Sequence, residues 1–245
     1  MEIQLVILLV VGASTAGFIN GFAGFGTALV ASGFWFLALP AHIVPPLIII
    51  SALVGQLIGL LKLSVELNWR KCSYLLSGGV LGVPLGAAAL ALMNPALVKA
   101  SVGGFLVTYT LLQVAGWPKQ AASASPEGLA DRGVGFASGI LGGFAGLSGV
   151  LPLVWLQLRG FSAREQRARY QPFNLLVLAF ASLALLVIGK LDGELMIYVA
   201  ISTPFTIIGT LLGVRAFKGV SENSFRRAVL LLLLISGGII LAQGV

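Results

Sequence analysis

Residues 17–26 read Gly-Phe-Ile-Asn-Gly-Phe-Ala-Gly-Phe-Gly, and residues 139–148 read Gly-Ile-Leu-Gly-Gly-Phe-Ala-Gly-Leu-Ser. The tightest match, Gly21 to Gly26 against Gly143 to Ser148, recurs after 122 positions, with Gly17 and Gly139 in the same register. Each copy sits in the middle of an apolar segment. Glycine weakens a helix, and a helix broken inside a bilayer exposes backbone polar groups that lipid cannot satisfy. A break repeated in two halves of a chain is the strongest sequence pointer to a transporter's binding site.

The rest of the composition places those segments in lipid. The chain has 245 residues, of which 58% are hydrophobic and only 9% charged. A soluble domain carries about 25% charged residues. The start, Met1-Glu2-Ile3, has no basic region ahead of the apolar run, so no cleaved leader is expected. Cys72 stands alone, which excludes an intramolecular disulfide and a cysteine metal site. The net charge of +7 does not indicate nucleic acid, because the basic residues lie in short loops between apolar spans. Control of membrane topology explains them better, and they would also favour an anionic substrate.

Eight apolar blocks are expected, at 3–39, 43–61, 72–93, 100–116, 133–158, 171–189, 195–217 and 226–243. A single crossing takes about 20 helical residues. Block 3–39 is too long for one upright pass, and its glycine run divides it into about 3–19 and 26–39. Block 133–158 divides likewise around Gly142 to Gly149. Either broken block is one interrupted crossing or a re-entrant hairpin.

Charge favours the hairpin. Lys62, Arg70 and Lys71 mark one loop, Arg159, Arg164, Arg167 and Arg169 a second, and Arg215, Lys218, Arg226 and Arg227 a third. The positive-inside rule puts all three in the cytoplasm. Block 133–158 then begins and ends inside, so it crosses an even number of times. The expected fold is an all-α integral membrane protein of two inverted repeats, each one broken helix or re-entrant hairpin plus three transmembrane helices. Residues 1–116 form the first repeat, 117–132 a cytoplasmic linker and 133–245 the second repeat. Both termini fall outside. Gly78, Gly82 and Gly86, with Gly209 and Gly213, have the four-residue spacing that lets helices approach closely in lipid.

At a hairpin tip the second short helix begins inside the membrane. Its first N–H groups lack acceptors and its dipole adds partial positive charge, which makes an anion site from backbone. The donors lie around Gly26, Thr27 and Ala28 in one half and around Ser148, Gly149 and Val150 in the other. The competing reading is that the glycines serve only tight packing. The candidate binding set is Asn20, Gly24, Gly26, Thr27, Gln56, Gly146, Ser148, Gly149, Arg169, Gln171 and Asn174. Gln56 either lines the path or bonds a neighbouring helix, and Arg169 either attracts the anion or anchors a helix end. None of the eight acids falls within an apolar block, which disfavours a carboxylate cation pathway. His42, the single histidine, is expected at an interface.

The stretches GFINGFAGFG, GILGGFAGLSGVLP and LRGFSAREQRARYQPFNL resemble the sulfite exporter TauE/SafE family, over about residues 5 to 240. Gly139 to Leu175 carries the most specific part. Members commonly have glycine where this chain has Thr27 and Ser148. The resemblance implies an inner-membrane, multi-pass permease, exporter in type, for sulfite, sulfoacetate or a related oxyanion, with no cofactor. A small anion and the lipid bilayer are its expected partners, and a homodimer is open to it. A channel is the nearest rival. An enzyme is disfavoured by the scarcity of acid–base residues in the apolar blocks, and a scaffold has no need of a duplicated break.

Overall fold

The computed structural model describes residues 2–62, 69–116 and 128–217. They form nine helices: α1 (Ile3–Ala23), α2 (Thr27–Ala38), α3 (Val44–Lys62), α4 (Trp69–Leu92), α5 (Pro95–Val114), α6 (Leu129–Ala145), α7 (Val150–Leu158), α8 (Ala163–Val187) and α9 (Gly193–Phe217). Five of these are long and apolar enough to cross a membrane. The expected block 226–243, with Lys218, Arg226 and Arg227, lies outside the described residues.

Both broken blocks are hairpins. In the first, the Trp35 indole of α2 donates to the Leu9 carbonyl of α1 at 3.2 Å, so α2 runs back along α1. In the second, Asp131 near the start of α6 accepts from the Trp155 indole at 2.8 Å and pairs with Arg159 at 3.0 Å, just past the end of α7. A tryptophan thus fastens each hairpin near its open end.

The helix bounds correct two expectations. α1 continues to Ala23 rather than ending near residue 19, while the second break, between Ala145 and Val150, falls within the expected Gly142 to Gly149. α6 also starts at Leu129, four residues before the expected block, inside the stretch read as linker. Asp131 is consequently a helical, buried acid. Its carboxylate accepts from the Gly128 N–H at 2.8 Å as well, so it caps the helix that it belongs to.

Many of the helical glycines face a neighbouring backbone. A Cβ on Gly78, Gly82 or Gly86 of α4 would overlap the carbonyls of Arg132, Phe136 and Ile140 on α6. Conversely, a Cβ on Gly135, Gly139 or Gly143 would overlap those of Leu75, Gly79 and Val83 on α4. The same seam joins α1 to α9, where Gly17 and Gly21 face Thr206 and Thr210, and Gly209 and Gly213 face Ser14 and Phe18. Lipid gives helices no hydrophobic reason to associate, so this close packing carries the contact. The long arm of each hairpin is therefore seamed to a helix of the opposite half. Helices α3 and α8 pack on each other and on the two hairpins, and Phe173, Leu47, Ile48 and Ile49 on them are fully buried.

Candidate anion-binding cleft

The breaks use glycine for its backbone. Gly24 (φ 76°), Gly26 (φ 97°) and Gly146 (φ 70°) occupy the left-handed region, where an L side chain costs about 1–2 kcal/mol. Gly149 is different. Its φ of −82° suits any residue, but an added Cβ would stand 2.6 Å from Asn174 Nδ2 and 2.8 Å from Phe25 Cβ. Phe25 belongs to the other hairpin, so the two tips touch at Gly149. The glycine signature therefore divides by position: Gly17, Gly21, Gly139 and Gly143 pack helices, while Gly24, Gly26 and Gly146 break them.

Between the tips lies a small, partly open polar cleft. Asn20, Phe25, Gly26 and Thr27 of the first hairpin line it, with Gly146, Ser148 and Gly149 of the second. Ala52 and Gln56 close it from α3, and Asn174 and Leu178 from α8. These four lie roughly halfway along two membrane-length helices, which places the cleft deep between the ends of the bundle.

Two helix N-termini reach this cleft, those of α2 and α7. Neither has a side-chain cap. The first bonds back to their caps are Val30 N–H to Gly26 at 3.2 Å and Leu153 N–H to Gly149 at 3.2 Å. The N–H groups ahead of them have no acceptor within their own helix. Pro152 contributes none. Partial positive charge from both dipoles converges on one polar space. The Thr27 hydroxyl is buried there with no protein partner.

The opposite problem arises at the end of α1, whose last carbonyls lack intrahelical donors. Side chains from two other helices supply them. Arg167 Nη2 donates to the Gly21 carbonyl at 3.0 Å, and the Tyr170 hydroxyl donates to Ala23. Gln56 Nε2 donates to Gly24 at 2.5 Å, and Asn174 Nδ2 approaches the same oxygen at 3.4 Å. Arg167 is 3% exposed and its guanidinium stacks 4.0 Å over the Phe217 ring. The negative end of the α1 dipole faces this buried charge. The α6 end closes through its own backbone. Its Gly146 and Leu147 N–H groups bond back to Gly142 and Leu141, at 2.9 and 3.2 Å, and Ile48 and Ile49 cover Gly146.

Of the eleven candidate residues, the cleft brings together Asn20, Gly26, Thr27, Gln56, Gly146, Ser148, Gly149 and Asn174. Gln56 both lines it and bonds another segment. Gly24 lies against it through the carbonyl that Gln56 and Asn174 share. Gln171 packs on Gly24, its Nε2 2.7 Å from where a Cβ would be, outside the lining. Arg169 stacks 4.0 Å over the Phe161 ring and does not reach the cleft. His42 is exposed in the turn before α3. Arg167 and Tyr170 were not among the candidates. Their spacing with Gln171 and Asn174 marks one polar face of α8, a signal that reading Arg167 as a loop charge concealed.

A family model described as Sulfite exporter TauE/SafE matches residues 8–240. No curated protein and no solved structure matched the chain.

Proposed function

The chain belongs to the sulfite exporter TauE/SafE family of membrane transporters, and from that premise we propose that it carries a small sulfur oxyanion, sulfite or an organosulfonate, held between the two hairpin tips. One observation carries this reading: two uncapped helix N-termini from different halves meet at one polar cleft deep in the bundle. Backbone N–H groups aimed at a shared space suit a compact anion. Among the described residues, the cleft lining holds no carboxylate to repel it.

In this reading residues 1–116 and 133–245 are inverted repeats around the cleft, and the chain sits in the inner membrane with its Arg-rich loops in the cytoplasm. The α1–α9 and α4–α6 seams cross between halves. Alternating access then moves these seamed pairs, not one intact half against the other. Net transport is outward, driven by the anion's gradient and by a negative interior. The test is thermal stabilisation of the purified protein by sulfite and sulfoacetate, with chloride and sulfate as comparators. A ligand that binds only the folded state raises its apparent stability. A selective shift with the sulfur anions supports the proposal. Folded protein that shifts with none of them refutes it.

A further inference from the structure

The cleft offers acceptors as well as donors, and a simple anion leaves the acceptors unmet. Asn20 and Asn174 line it and are each 2% exposed. Asn20 Nδ2 donates to the Ala52 carbonyl at 3.2 Å, and Asn174 Nδ2 faces the Gly24 carbonyl at 3.4 Å. A carbonyl takes only a donor, so these partners fix both amides with nitrogen toward the backbone and oxygen away from it. The two oxygens, Asn20 Oδ1 and Asn174 Oδ1, are then buried with no partner. A buried acceptor without a donor is costly, so a native site that keeps two of them has a use for them.

A cation is the first alternative for such oxygens. It is disfavoured here because the α2 and α7 N-termini bring partial positive charge to the same space. The Arg167 guanidinium also already occupies the end of α1, where helix carbonyls would otherwise draw a cation. We propose that the occupant is a monoanion that itself donates a hydrogen bond: a sulfur oxyanion in its singly protonated form, or one with an N–H or O–H on sulfur. Its charged oxygens meet the helix N–H groups and its donor meets the asparagine oxygens. This inference rests on the anion-site reading above and narrows its substrate class.

Sulfamate and methanesulfonate test it. Both are monoanions of nearly the same shape, and they differ in an amino group against a methyl. Thermal-shift titration of the full-length protein is expected to give sulfamate an affinity at least tenfold higher, because methanesulfonate leaves both oxygens unsatisfied. Asn20→Leu and Asn174→Leu are each expected to reduce that ratio toward one. The comparison on the unaltered protein stands even where a variant fails to fold. Equal affinity for the two anions overturns the inference while leaving the anion site intact. A shift produced by sodium, and not by potassium, at constant anion overturns it by giving the oxygens to a cation. No shift with sulfite, sulfoacetate or either probe removes the proposed function and this inference together.

Discussion

Replacing Gly149 by alanine separates space from backbone strain. The residue has φ −82° and ψ −16°, so alanine adopts its conformation freely. Restricting the unfolded chain in this way stabilises by about 0.4–1 kcal/mol. The new methyl would lie 2.6 Å from Asn174 Nδ2, 2.8 Å from Phe25 Cβ and 3.1 Å from Asn174 Oδ1. An ordinary contact needs about 3.4 Å or more, so both neighbours must move by several tenths of an ångström. Overpacking of this kind costs about 1–3 kcal/mol. The net loss is about 1 kcal/mol, small enough to leave the protein folded. The methyl also occupies the point where the two tips touch and displaces the Asn174 amide. Sulfite affinity is expected to fall at least tenfold. Gly104→Ala is the control: nothing lies within 4 Å of its added Cβ, so it should gain slightly in stability and keep its affinity. Denaturation midpoints and sulfite titrations of the three proteins measure both quantities. Unchanged affinity in folded Gly149→Ala would refute the placement of the anion between the tips.

Other perturbations probe the supports of the cleft. Arg167→Met removes the donor on the Gly21 carbonyl and should destabilise by about 1.5–3 kcal/mol, read by thermal unfolding. Stability at the level of the parent would show that the clamp on α1 is dispensable. Gly82→Leu forces apart the seam where Gly82 faces the Phe136 carbonyl, and should lose more stability than Leu at open Gly104; equal losses would count against the seam. Asp131→Ala strips the acceptor from Trp155 and Arg159 and should cost about 2–3 kcal/mol, with a near-neutral result speaking against a fastened hairpin base. In vesicles, 100 mV negative inside should favour outward distribution of a monoanion about 50-fold, from about 2.3 kcal/mol per charge. Potential-independent flux would contradict uncoupled anion export.

The breaks were legible because they depend on backbone chemistry that few residues provide. Gly24, Gly26 and Gly146 take positive φ, and no other residue type does so at such low cost. Their positions within over-long apolar blocks marked them in the sequence. The same composition blurred their edges. Gly17, Gly21 and Gly139 are helical and face the carbonyls of α9 and α4, and partners that distant in sequence leave no local trace. The hairpin, as opposed to a broken crossing, was accessible through charge parity, which is a property of loops. Asp131 escaped notice because its partner Arg159 is 28 residues away. Arg167 escaped because one positive residue among four in a loop reads as topology until the fold turns it toward the end of α1. The donor side of the cleft could be argued from helix ends alone. The free asparagine oxygens could not, since they follow from which carbonyl each amide meets.

The proposed transport rests on one anion shared by two hairpin tips. Calorimetric titration of sulfite into the purified protein, and into Thr27→Val and Ser148→Ala, tests it most directly. Each variant removes one hydroxyl from one tip and neither asks the backbone for a new conformation. One site per chain, weakened by either substitution, is the expected result. Two sites of which each variant disables only its own, or an affinity that neither variant changes, would contradict it.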